Sequence, residues 1–86
     1  MARQKKLVSQ FFEYPPELMQ NQPLLHMSGD TRIHIENHKG IIEYSPDLVR
    51  ISTSCGVLRI YGKEMLLKEL DDTNILVLGR ISGLEY

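Results

Sequence analysis

Arg32-Ile33-His34-Ile35-Glu36-Asn37 puts Ile33 and Ile35 on one side of an extended chain and Arg32, His34 and Glu36 on the other. That period of two marks a strand with one buried and one wet face. Upstream, Leu24 to Met27 reads as a first strand, ended by Ser28-Gly29-Asp30, a cluster that supplies positive φ and local side-chain bonds. Downstream, Asn37-His38-Lys39-Gly40 has its glycine where a hairpin loop needs a left-handed residue, which predicts a hairpin into Ile41 to Tyr44. Ser45-Pro46-Asp47 turns the chain into Leu48 to Thr53, with Val49 and Ile51 inward. Ser54-Cys55-Gly56 turns it again into Val57 to Tyr61, where Leu58 and Ile60 oppose Val57, Arg59 and Tyr61, and Gly62-Lys63-Glu64 is expected to close that strand.

Met65 to Leu70 alternates as Met65, Leu67 and Glu69 against Leu66, Lys68 and Leu70. Six residues between Gly62 and Asp71-Asp72-Thr73-Asn74 suit a hairpin arm better than a two-turn helix. Ile75-Leu76-Val77-Leu78 is apolar on both faces and is expected to be the most buried strand, running on to Tyr86 with Gly79 and Gly83 at bulges or bends. Turns recurring about every 8 to 12 residues predict a mainly β fold, an antiparallel meander curled into a roll, small barrel or sandwich.

The first segment has a different texture. Residues 1–22 read as an N-terminal arm and 23–86 as a single β domain. In the arm, Arg3, Lys5 and Lys6 precede Leu7, Val8, Phe11 and Phe12 at helix-like spacing, and Tyr14-Pro15-Pro16-Glu17 interrupts the pattern, so only weak helix is expected. With 86 residues, 42% of them hydrophobic and 24% charged, the chain suits one modest core. Such a core supplies roughly 3–5 kcal/mol, which makes a homo-oligomer or another stabilising contact an expectation. The net charge of −1 offers no field for phosphate backbones, so nucleic acid is disfavoured. A lone Cys55 forms no internal disulfide and suits a reducing, cytoplasmic compartment. No apolar run approaches the ~20 residues of a transmembrane helix, so a soluble or membrane-peripheral protein is expected.

Three constellations could carry chemistry. His34, Glu36 and His38 are spaced to project to one side of a strand, with the residue types of a two-histidine, one-carboxylate metal centre. Arg32 shares that face and would repel a cation, so a solvated face is the preferred reading, with no metal or cofactor. Cys55 sits in a turn where nothing lowers its thiol pKa, and no phosphate-binding loop, dinucleotide fingerprint or nucleophile elbow is present, so no enzyme is expected. Tyr61 beside Arg59 could stack on bases of a single strand, which makes a small-barrel nucleic-acid-binding protein the alternative function. In the arm, Phe11, Phe12 and Tyr14 are the candidate partner-binding residues, because exposed aromatics dominate interfaces.

Ile35-Glu36-Asn37-His38-Lys39-Gly40-Ile41, then Gly56-Val57-Leu58-Arg59-Ile60-Tyr61-Gly62 and Ile75 to Tyr86, resemble the YabP/YqfC family of bacterial sporulation proteins, and most of all its YqfC branch. Pro15-Pro16-Glu17-Leu18 and Gln22-Pro23-Leu24 are similar to that branch too. The resemblance implies a role in endospore formation in a Gram-positive spore former, in the mother-cell cytoplasm, and brings no catalytic residues. It also implies a membrane-embedded partner similar to YqfD. The expected function is therefore a non-enzymatic, protein-binding or scaffold module at a sporulation complex.

Overall fold

A computed structural model describes residues 22–86, so the arm, including Phe11, Phe12 and Tyr14, lies outside the described residues except for Gln22. The described chain is built of strands: β1 (Leu24–Ser28), β2 (Arg32–Glu36), β3 (Gly40–Tyr44), β4 (Leu48–Thr53), β5 (Gly56–Glu69) and β6 (Asn74–Glu85). They form one open antiparallel sheet in the order β1-β2-β6-β5-β4-β3. β3 to β6 make a meander, and the β1–β2 hairpin joins the free side of β6.

The hairpin expected across Asn37–Gly40 does not form: β2 pairs with β1 and β6, and β3 pairs with β4. Ile33 and Ile35 lie opposite Val77 and Ile75, so β2 gains a fully apolar inner neighbour in β6 that β3 could not offer. Asn37 (φ 65°) and Gly40 (φ 130°) instead turn the chain across the end of the sheet. There the Asn37 N–H donates to the Thr73 carbonyl at 2.8 Å and the Lys39 N–H to the Ser52 carbonyl at 2.7 Å.

Those two bonds require the sheet to be folded. Ser52 lies opposite Val57 and Ile75 opposite Glu69, and along a straight β5 these partners would be roughly 40 Å apart. Two residues of chain span only about 7 Å. β5 and β6 therefore run through both halves of a sheet doubled over on itself, and the inner faces of the halves share one core. Ile33, Ile35, Val49, Ile51, Ile60, Ile75 and Val77 are completely buried there. Thr53, the buried polar side chain, is satisfied: its Oγ1 donates to the Gly56 carbonyl and accepts the Cys55 N–H.

The fold line is written in glycines. The β5–β6 register slips at Tyr61/Gly62, where Ser82 of β6 is the extra residue, and again between Lys63 and Leu66, where Glu64 and Met65 of β5 face Gly79 alone. Gly62-Lys63-Glu64 is thus a bend inside one 14-residue strand, where a turn between two strands was expected. Glu64 takes left-handed backbone (φ 53°), and Gly79 on the facing strand has φ 143°. A Cβ on Gly79 would meet the Met65 Cα at 2.8 Å, and one on Gly62 would collide with the Arg80 carbonyl. Backbone donors released by the bulges are taken up by turns: Gly62 and Met65 donate to Asp47 and Pro46, and Gly79 and Ile81 to Thr31 and Asp30. Each turn therefore plugs one bend, which satisfies groups that would be costly to bury unpaired.

Candidate docking surface

With the inner faces shared, function falls to the two outer faces and the two edges. Directly opposed residues in a ladder point to the same side, so the register fixes both outer faces row by row. On the β3–β4–β5–β6 half, Glu43, Arg50, Arg59 and Glu85 form a row across four strands. Arg50 Nε donates to Glu43 Oε1 at 2.6 Å. Beside them, Tyr61 lies over Gly83 and its hydroxyl donates to Glu85 Oε1 at 2.7 Å. That carboxylate holds the phenol above its ordinary value, with desolvation adding to the shift. Tyr61 and Arg59 do share a face, as the stacking alternative requires, but a carboxylate ends their row and occupies the tyrosine hydroxyl. This face is solvated and balanced in charge.

The other half is different. Its rows read Ser28, Arg32, Leu78, Leu66 and then His26, His34, Leu76, Lys68. Leu66 is 53% exposed, Leu70 beyond it 54%, and Leu76 and Leu78 are half-buried by their strand neighbours alone. Among the described residues no second layer covers these leucines. Arg32 and Lys68 flank them and Glu36 lies one row on, so the patch is apolar with a charged rim. Ile75 and Val77 are fully buried as expected of this strand, but Leu76 and Leu78 are not, because the fold covers only one side of it.

The metal constellation does not assemble. His34 stacks on His26 of β1, ring centroids 6.0 Å apart, and its Nε2 lies 3.1 Å from Asn74 Oδ1. Asn74 Nδ2 in turn donates to both Asp71 oxygens, which fixes the amide orientation so that Oδ1 faces the imidazole as acceptor. Asp71 caps the β5–β6 turn, and the bonds from Asn74 first and then Thr73 hold its carboxyl below the ordinary 3.8. Glu36 reaches only 3.9 Å from His34 Nδ1. Left-handed Asn37 breaks the alternation, so His38 leaves the face; its Nδ1 accepts the Gly40 N–H at 3.0 Å and its Nε2 is buried without a hydrogen-bond partner. Among the described residues no group of three His, Cys, Asp or Glu side chains is placed to hold a metal. Cys55 is exposed in the β4–β5 turn.

The edges also differ. β3 is blunted by a bulge: Ile41 faces Ile51 and Glu43 faces Arg50, leaving Ile42 as the extra residue. The insertion turns Glu43 outward to its ion pair and puts Tyr44 on the core side of the edge strand, still exposed, where its hydroxyl donates to the Met65 carbonyl at the bend at 2.8 Å. β1 is regular over all five of its pairs with β2.

The described residues thus form a folded six-stranded antiparallel β domain with one charge-balanced and one leucine-bearing outer face. The family model of the YabP family matches residues 19–86, and the chain belongs to that family. It is 33% identical over 84 residues to the uncharacterized protein YqfC of Bacillus subtilis (strain 168), an alignment covering 98% of this chain and 90% of that protein. No solved structure matches. Membership of the family points to a sporulation-associated protein. No helix among the described residues is long and apolar enough to cross a membrane.

The leucine face escaped the reading of the sequence because Ile75 to Leu78 looks the same whether one face is covered or two. The available signal was Leu66, which alternates with inward Met65 and Leu67 and so had to point out.

Proposed function

We propose that this protein is a non-enzymatic component of endospore formation that works by binding another protein through the outer leucine face of the β1–β2–β6–β5 half. The observation that carries this reading is the contrast between the two outer faces of one folded sheet. One is finished with an ionic row, Glu43–Arg50–Arg59–Glu85, while the other leaves Leu66, Leu76 and Leu78 adjoining one another with Arg32 and Lys68 beside them. An apolar patch rimmed by polar residues is the usual form of a protein-binding site, and Arg32 and Lys68 beside the leucines would pair with carboxylates of a partner there. A membrane-embedded protein similar to YqfD is the first partner to seek, and the aromatic residues Phe11, Phe12 and Tyr14 of the arm would extend the contact.

The test is tagged capture from sporulating cells, with solubilised membranes included, comparing the full chain with Leu66→Glu. Burying one leucine contributes about 1.5–3 kcal/mol, so Leu66→Glu should lower recovery of the partner at least tenfold while the circular dichroism spectrum stays the same. A partner recovered equally well by both proteins would refute docking on this face.

A further inference from the structure

The geometry points to a second copy of this chain as the occupant of the β1 edge, paired antiparallel about His26 so that two folded sheets join into one. Four observations lead to it. Among the described residues β1 ends the sheet, with no strand beyond it. Natural edges are usually blunted by charge, proline or a bulge; β3 carries a bulge and an ion pair, whereas Leu24-Leu25-His26-Met27-Ser28 carries none of these and pairs regularly with β2.

The strand is also self-complementary. Leu25 and Met27 lie on the core side, opposite Ile35 and Ile33, while Leu24, His26 and Ser28 lie outside. A two-fold axis through His26 sets Leu25 of each copy against Met27 of the other, which carries the apolar inner layer across the seam. Met27, 44% exposed at this edge, would gain the cover it lacks. Finally, the register is selected by the chain itself. An axis through Leu25 would draw in Pro23, which has no N–H to donate, and an axis through Met27 would run the pairing into the Ser28–Thr31 turn. Only the axis through His26 pairs all five residues of β1.

This arrangement has a visible consequence. His26 already stacks on His34, so the seam would line up four imidazoles on the outer face, His34 and His26 of one copy followed by His26 and His34 of the other. Arg32 and Glu36 lie diagonal to each His26, Leu24 and Ser28 flank it on its own strand, and nothing anionic stands between the two central rings. A five-residue seam spans only about 17 Å, which makes the contact small and the dimer sensitive to concentration.

The test is sedimentation velocity of the full chain over a concentration series. A dimer that dissociates on dilution supports the proposal; a monomer at every concentration overturns it. Register is read by oxidative cross-linking in a Cys55→Ser background. Paired residues at a seam have Cα atoms about 4.5–5.5 Å apart, within disulfide reach, so His26→Cys should give a covalent dimer and Leu24→Cys should not. Cross-linking through Leu24→Cys, or by neither variant, overturns the register. Met27→Lys should abolish the dimer while Ile42→Lys, on the β3 edge, leaves it intact; the reverse result would move the interface to β3.

Discussion

Replacing Gly79 with alanine should remove most of the stability of this domain, because the position combines two independent penalties. Its φ of 143° is a conformation that side-chain-bearing residues rarely adopt, and holding alanine there costs about 1–3 kcal/mol. The added Cβ would also sit 2.8 Å from the Met65 Cα and 2.9 Å from the Glu64 carbonyl oxygen. Both are backbone atoms of the facing bend, so relief means moving β5, an overpacking cost of about 1–3 kcal/mol. The sum, about 2–6 kcal/mol, compares with the roughly 3–5 kcal/mol expected of a domain this small. Two other glycines calibrate the estimate. Gly29 has φ 53° and open space around it, so Gly29→Ala should cost only about 1 kcal/mol. At Gly83 the nearest atom is the Tyr61 ring at 3.8 Å, an ordinary contact, and Gly83→Ala should lie within about 0.5 kcal/mol of the wild type. Urea unfolding followed by circular dichroism measures all three, since a slope near 1 kcal/mol per molar turns each kilocalorie into about a 1 M shift in midpoint. Sucrose in every sample keeps the weakest variant folded enough to rank. Should Gly79→Ala melt together with Gly83→Ala, the doubled-over geometry at Met65 would be refuted.

Three further substitutions probe the same bends and turns. Glu64 occupies left-handed backbone without being glycine, so Glu64→Gly should raise the urea midpoint by about 0.5–1 kcal/mol equivalent, and a lower midpoint would contradict the bulge. Tyr44→Phe deletes the hydroxyl that donates to the Met65 carbonyl and should cost about 0.5–1.5 kcal/mol in the same assay; no change would mean the bond does not form in solution. Asp71 has its carboxyl held below the ordinary 3.8 by Asn74 and Thr73, so its contribution is present above that value and is lost as pH falls through the folded one. Acid titration of the melting temperature should therefore fall less steeply below about pH 4 for Asp71→Ala than for the wild type, from a lower starting value, and parallel curves would deny Asp71 this role.

Much of the candidate surface was readable residue by residue, but its meaning was not. The outward direction of Arg59 and Tyr61, and of Arg32, His34 and Glu36, follows from alternation. That His34 would spend its ring on His26 and Asn74, forty residues downstream in the second case, does not. His38 seemed to continue the same face until Asn37 took left-handed backbone, a choice available to asparagine but not demanded by it. The aromatic candidates Phe11, Phe12 and Tyr14 lie outside the described residues.

What the sequence determined by itself was local: which residues alternate, where turns fall, and that the result is an antiparallel β protein. Period-two patterning and turn chemistry act over a few residues, so they can be read without knowing the neighbours. Strand order, the continuity of β5 through Gly62-Lys63-Glu64, and the exposure of Leu76 and Leu78 were decided only by tertiary structure. Each depends on which distant strand wins a given apolar face: β2 takes β6 because Ile75 and Val77 complete the burial of Ile33 and Ile35, and that pairing leaves the leucines on the far side uncovered.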